Sequence, residues 1–154
     1  MKTNKIRKVL IAMDYDVTSQ KVAEAGYALA QAMNAETILL HVVSELPFYY
    51  SAYNYAHEFS VDIDMLADLK KSTQKFLDKA KKHLGDDDSI KTVLENGEVA
   101  ETILRTATEM KADIIVMGSH SRKWLEDILI GSEAQDVLKK SHIPLLIIPT
   151  KKVY

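Results

Sequence analysis

Apolar runs and polar breaks alternate along the chain at two lengths, and the lengths separate strands from helices. Val9 to Met13 is a continuous apolar run, the pattern of a strand buried on both faces of a parallel sheet. Thr18 or Ser19 can cap a following helix, in which Val22, Ala25, Leu29 and Met33 recur at helical spacing until Asn34 stops it. Thr37 to Val43 is a second apolar run. Leu46 to Ser60 carries Pro47 and the aromatics Phe48, Tyr49, Tyr50, Tyr53 and Tyr55 without a clean period, and reads as a loop. A long helix is predicted from about Asp62 to Leu84, with the stripe Leu66, Leu69, Thr73, Phe76, Leu77, Ala80 and Leu84, and with Gly85 as its C-terminal stop. Asp86 to Asp88 form a solvated turn, and Ile90 to Leu94 a short alternating strand. Gly97 opens a third helix whose apolar side is Val99, Ile103, Leu104, Ala107 and Met110. Asp113 to Gly118 contains a third fully apolar strand, Ile114 to Met117. An irregular segment runs to Gly131, Ser132 starts a last helix, and Pro144 and Pro149 bracket the last strand, Leu145 to Ile148.

This order of alternating strands and helices predicts an α/β fold. It is a doubly wound, five-stranded parallel sheet with helices on both faces, in one domain. Composition agrees: 154 residues, 47% hydrophobic and 27% charged, is ordinary for a globular chain able to bury a core. The net charge of −2 argues against a general nucleic-acid binder. The absence of cysteine excludes disulfides, thiolate metal sites and cysteine nucleophiles. No stretch approaches a membrane span, and the basic N-terminus is followed by too short an apolar run for a signal peptide, so a cytoplasmic protein is expected.

In a doubly wound sheet the ligand lies beyond the C-terminal ends of the strands, where strand order reverses. The reversal is expected beside the first strand, with the fourth-in-sequence strand as neighbour. That brings together Asp14, the segment Gly118-Ser119-His120-Ser121-Arg122, and Gly131-Ser132. Neither a Walker A sequence nor Gly-x-Gly-x-x-Gly occurs. Gly118 at a strand end and Gly131-Ser132 at a helix start instead offer backbone N–H groups and the positive end of a helix dipole to an anion. Two plainer readings stand beside this one. Ser132 with Gln135 is a capping-box pattern, and Gly118 is a residue type that turns favour.

At this point the chain resembles the universal stress protein family. The nucleotide-binding branch of that family carries Gly, two residues, Gly, nine residues, then Gly-Ser or Gly-Thr; Gly118 and Gly131-Ser132 match, and Ser121 stands where the second Gly is expected. Val9 to Asp14, Val116 to His120, Ile130 to Ser132, Asn96 to Ala100 and Ile143 to Pro149 match as well. The resemblance spans essentially the whole chain. It implies an adenine nucleotide alpha hydrolase-like fold and an adenine nucleotide, ATP or another, held with Mg²⁺ or Mn²⁺. By position, Asp14 would meet the nucleoside and Val42 the adenine through its backbone. Ala12 and Met117 would line the floor, Gly118 the ribose and phosphate path, and Ser121 with Gly131 and Ser132 would cradle the phosphates. His120 and Arg122 lie in the same phosphate loop. Glu133 puts a carboxylate in the first helical turn, where it suits the dipole and opposes a phosphate unless turned away or holding a metal. Arg122 and Lys123 are positioned to offset it, although Glu126 and Asp127 follow in what also reads as a solvated lid.

The remaining candidates read more plainly. The five histidines form no His-x-x-x-His pair, which speaks against a dedicated zinc site. His41 reads as a hydrogen-bonded histidine near a strand end. No Gly-x-Ser-x-Gly elbow occurs. The tyrosines at 49, 50, 53 and 55 offer rings to stack on a base, cover the pocket or bind a partner, and the plainer reading is that they shield the second and third elements; Trp124 is expected to anchor its loop. Similar proteins pair the last strand across a dimer axis, so a homodimer through Ile143 to Thr150 is expected, closing an apolar edge. The leading expectation is a regulatory nucleotide-binding protein without a dedicated enzymatic activity. The alternatives are a nucleotide-free interaction protein of the same fold and a slow nucleotide hydrolase using Asp14 and His120.

Overall fold

The structure is a computed structural model; it describes residues 4–44, 59–119 and 130–150, with the side chains of 59–66 left aside. Five parallel strands, β1 (Lys8–Ala12), β2 (Glu36–Val43), β3 (Ile90–Asn96), β4 (Ile114–Gly118) and β5 (Leu145–Ile148), form a sheet in the order β3-β2-β1-β4-β5. Helices α1 (Ser19–Met33), α2 (Phe59–His83), α3 (Val99–Glu109) and α4 (Ser132–Lys140) connect or follow them. β1 lies between β2 and β4, so the chain reverses direction across the sheet at β1, as expected.

The continuous apolar runs follow from burial on both faces. Along β1, Leu10 joins a cluster with Ile38, Leu40, Ile115 and Met117 under Ala100, Ile103 and Ala107 of α3 and Ala134 and Val137 of α4. Val9 and Ile11 point the other way, joining Leu39 and Val116 under Val22, Ala23 and Ala30 of α1 and Leu77 and Ala80 of α2. Alternate residues of one strand thus serve opposite cores, and from Val9 to Ile11 no polar position is left for solvent. At the N-terminal edge of the sheet, Asp113 Oδ2 accepts from the backbone N–H groups of Arg7 and Lys8 at 2.7 and 2.9 Å, tying the entry of β1 to that of β4.

Several boundaries differ from those expected. α2 begins at Phe59, so Phe59 and Ser60 are helical, while the remainder of the aromatic loop lies outside the described residues. β3 extends past Leu94 to Asn96, because Glu95 and Asn96 pair with Val42 and Val43 at the sheet edge, where a side chain can leave the sheet plane into water. Gly97 does not belong to α3. It sits two residues before it at φ 144°, and Glu98 caps the helix, accepting from Ala100 and Glu101 N–H at 3.2 and 2.7 Å. At α1, Thr18 occupies the cap position, but its side chain accepts from no helix N–H; the capping carboxylate is that of Asp16, which accepts from Thr18 N, Thr18 Oγ1 and Ser19 N. Asn34 ends α1 in the left-handed conformation, as its residue type suggested. No helix among the described residues is long and apolar enough to cross a membrane.

Candidate functional site

The strand reversal at β1 opens a crevice because β1 and β4 send their following helices to opposite faces. Ala12 ends β1, and Met13 continues the line, its N–H donating to Leu40 O at 2.8 Å. Asp14 then emerges exposed. β4 ends at Gly118, and Ser119 ties three segments together. Its N–H donates to Ile148 O at 2.9 Å, its hydroxyl accepts from Thr150 N at 3.0 Å, and its carbonyl accepts from Gly131 N at 3.2 Å. Ser119, which carried no role in the sequence reading, therefore fixes where α4 starts relative to the end of the sheet.

A cavity of about 700 Å³ occupies this crevice. That volume lies within the range of small-molecule and cofactor sites. Of the residues singled out from the sequence, Ala12, Asp14, Val42, Met117, Gly118 and Glu133 line it. Gly131 and Ser132 do not, but they open the helix whose residues Glu133 and Ala134 do. His120, Ser121 and Arg122 lie outside the described residues, as do the tyrosines at 49 to 55 and Trp124.

The start of α4 differs from the capping-box expectation. The cap residue is Gly131, in extended conformation at φ −64° and ψ 157°, with no side chain to bond the first turn. Ser132 is already helical, and the Gln135 amide turns back to donate to Ile130 O at 2.9 Å. The Gly131 N–H is engaged by Ser119, and the Gln135 N–H closes the first helical bond to Gly131 O at 3.0 Å. Helix geometry directs the N–H groups between them outward along the axis, where the dipole favours negative charge. The other helix starts near the crevice carry carboxylate caps: Asp16 accepts from Thr18 N and Ser19 N at α1, and Glu98 accepts from Ala100 N and Glu101 N at α3, whose first residue Val99 lines the cavity.

The opposite wall was missed in the sequence. Tyr15, His41, Leu69, Ser72 and Thr73 also line the cavity. His41 Nδ1 lies 2.6 Å from Met13 O. A carbonyl only accepts, so Nδ1 carries the proton and the tautomer is set by the backbone. The reading of His41 as a hydrogen-bonded strand-end histidine agrees with this, but its place in the cavity wall was not foreseen. Tyr15 could have been found from its position next to Asp14 in the loop after β1. Leu69 and Thr73 were assigned to the buried stripe of α2; Thr73 is indeed buried, whereas Leu69 is 41% exposed at the cavity. Among the described residues no group of three or more His, Asp and Glu is placed to hold a metal ion.

Comparison with known proteins gives a consistent picture. The model of the universal stress protein family matches residues 5–149. The chain is 32% identical over 145 residues to universal stress protein YxiE of Bacillus subtilis, covering 92% of this chain and 97% of that protein. It is 31% identical over 151 residues to universal stress protein MJ0531 of Methanocaldococcus jannaschii, covering 97% of this chain and 85% of that protein. Among solved structures, that of MJ0577 from the same organism superposes with a TM-score of 0.76 at 26% identity, covering 97% of this chain and all of the other. Two more distant structures of the same fold were solved with nucleotides. One is a universal stress protein with cAMP (TM-score 0.68, 20% identity), the other an Archaeoglobus fulgidus universal stress protein with dAMP (TM-score 0.61, 17% identity).

Proposed function

The chain belongs to the universal stress protein family, and from that premise we propose that it is a regulatory protein that binds an adenine nucleotide in the crevice between β1 and β4. The observation that carries the reading is the start of α4. A helix N-terminus capped by a residue without a side chain stands at the rim of a 700 Å³ cavity, two residues before Glu133 and Ala134 enter its lining. The family relationship supplies the ligand class, and the cAMP and dAMP complexes of distant relatives support an adenine ring with phosphate.

On this reading the nucleoside lies near Asp14 and the backbone of Val42, over Ala12 and Met117. The phosphate runs past Gly118 toward the first turn of α4, with Gly131 and Ser132 and the loop residues His120, Ser121 and Arg122 around it. Asp14 and Glu133 bring two carboxylates to the cavity, so a triphosphate calls for Mg²⁺ or Mn²⁺ to bridge the like charges. A lone general base aimed at a water is not part of the proposal, and regulation rather than turnover is the role assigned. The same reading includes a homodimer through Ile143 to Thr150. β5 is the sheet edge, and all four of its residues are only half-buried although apolar, the kind of edge that a second copy covers.

The test is calorimetric titration of the chain with ATP and Mg²⁺, after mass spectrometry of any small molecule released on denaturation. A stoichiometric adenine nucleotide or micromolar binding is expected in the wild type. Gly131→Val, which places a branched side chain over the first turn of α4, is expected to weaken binding at least tenfold. Unchanged affinity in that variant would remove the phosphate cradle from the start of α4.

A further inference from the structure

We infer that Tyr15 is a specificity-determining residue of this site: its ring is the platform on which a planar heteroaromatic group, here the purine base, stacks. The inference rests on the nucleotide reading above and says which wall of the cavity takes the base.

Tyr15 lines the cavity, yet its side chain remains 60% exposed. An aromatic ring exposed to that degree gains when a flat apolar surface covers it. The ring is also held. Phe76 of α2 packs against it with centroids 4.8 Å apart at 49°, and the His41 ring meets it edge-on at 6.3 Å and 61°. His41 and Phe76 in turn meet at 6.2 Å and 77°, closing a three-ring cluster.

The backbone that carries Tyr15 is fastened on both sides. Before it, the Met13 N–H donates to Leu40 O at 2.8 Å, and the Met13 carbonyl accepts from His41 Nδ1 at 2.6 Å. After it, Asp16 Oδ1 accepts from Thr18 N, Thr18 Oγ1 and Ser19 N at 2.6, 2.6 and 3.2 Å. A ring set between two such anchors loses little further freedom when a ligand arrives, which is the condition for stacking to appear as affinity. His41 is a positioning residue in this arrangement: it holds the Met13 carbonyl and one edge of Tyr15. The opposite wall carries Val42, Val99 and Met117 with the Glu133 carboxylate and no aromatic ring, so among the described residues the cavity's aromatic faces lie on this side alone.

The experiment compares wild type, Tyr15→Ala, Tyr15→Leu and Tyr15→Phe by calorimetry, each titrated with AMP and separately with ribose 5-phosphate, which lacks the base. Circular dichroism melts verify that each variant is folded. Tyr15→Ala is expected to weaken AMP about 5- to 150-fold, the span of one base–aromatic stack. Tyr15→Leu, which keeps bulk but not the π face, is expected to weaken it several-fold. Tyr15→Phe is expected to stay within about threefold of wild type, because the stack uses the ring face and not the hydroxyl. Ribose 5-phosphate is expected to bind all four proteins alike, and the AMP H2 and H8 resonances to move upfield with wild type and not with Tyr15→Ala. The inference is overturned if Tyr15→Ala binds AMP as wild type does, or if it loses ribose 5-phosphate in the same proportion. A wild type that binds ribose 5-phosphate and AMP equally overturns the stacking role while leaving the phosphate site. A wild type that binds neither AMP nor ATP with Mg²⁺ overturns the nucleotide reading and the inference with it.

Discussion

Gly26 sits in the middle of α1, where alanine is ordinarily the better residue by about 0.8–1 kcal/mol. A Cβ built there would lie 2.6 Å from Ile11 Cδ1, 2.7 Å from Ile11 Cγ1 and 3.4 Å from Val116 Cγ1. Carbon atoms pack at roughly 3.5–4.0 Å, so the first two contacts demand a shift of about an ångström. The Cδ1 contact alone could be relieved by a terminal rotation, but Cγ1 moves only with χ1, which is stiff in a β-branched residue. Ile11 is also fully buried in the middle of β1, with no space into which to turn. Overpacking of this kind costs about 1–3 kcal/mol, more than the helix preference returns. Gly26→Ala is therefore expected to destabilise the protein by about 1 kcal/mol net, lowering Tm by roughly 2–4 °C for a chain of this size. Ile11→Ala alone is expected to cost about 2–5 kcal/mol. In that background the obstructing atoms are gone, and Gly26→Ala is expected to become stabilising by nearly its full helix preference. Urea unfolding of the four proteins gives the coupling energy, expected at about 1–3 kcal/mol. If Gly26→Ala raises stability equally in both backgrounds, close approach of α1 to β1 is not what requires glycine there.

Two further outcomes follow from polar contacts. Asp113→Ala leaves the Arg7 and Lys8 N–H groups without their acceptor, and a loss of about 1–3 kcal/mol is expected; thermal melts measure it, and amide exchange at residues 7 and 8 should quicken while the core of β2 stays protected. At the same end of the sheet, before β3, the Tyr27 hydroxyl donates to Asp87 at 3.0 Å. The Ser89 backbone N–H and then the Tyr27 hydroxyl hold the Asp87 carboxyl below the usual range, so its contribution is present above about pH 4 and is lost as pH falls through the lowered value. Desolvation and then Asp87 raise the Tyr27 phenol, so its contribution is present below about pH 10 and is lost as pH rises through the raised value. Tyr27→Phe should flatten the alkaline limb of the stability profile and raise the Asp87 titration followed by NMR; an unchanged Asp87 titration would show that the pair does not form in solution.

The sheet was legible because β1, β2 and β4 serve two cores at once, so their buried stretches Val9 to Ile11, Ile38 to Leu40 and Ile115 to Met117 are wholly apolar. The strand reversal at β1, and with it the convergence of Ala12, Asp14, Met117 and Gly118, followed from element order alone. Boundaries set by single hydrogen bonds were not legible in the same way. Ser132-Glu133-Ala134-Gln135 satisfies a capping-box pattern, but the chain enters the helix one residue earlier, at Gly131. Glycine is an acceptable cap, and the choice between neighbours depends on the Gly131 N–H finding Ser119 O, a contact across twelve residues. Thr18 was passed over for Asp16 for a related reason: a carboxylate two residues upstream can accept from three donors together, which a single hydroxyl cannot match. The wall made by Tyr15, His41 and Thr73 was harder still. It requires knowing that odd positions of β2 face α1 and α2, and that α2 crosses the end of β2 at Phe76.

The two misread caps bear on the site together. Three helices begin near the crevice: α1 after β1, α3 with Val99 in the cavity lining, and α4 with Glu133 and Ala134 there. At α1 Asp16 accepts from Thr18 N and Ser19 N, and at α3 Glu98 accepts from Ala100 N and Glu101 N, each placing a negative charge where a ligand anion would otherwise be drawn. At α4 the cap has no side chain, and the segment entering it is held by backbone contacts to Ser119, whose own N–H and hydroxyl are fastened to β5. Two of these helix starts are capped by the chain's own carboxylates, and the third, α4, has no capping side chain and is positioned by the sheet. On the proposed reading this asymmetry orients the nucleotide. Phosphate is directed to the α4 side, and the base is left to the side where Asp16 and His41 fasten the loop that carries Tyr15. The helix start at Gly131, without a capping side chain, and the exposed ring at Tyr15 then mark the two ends of one ligand.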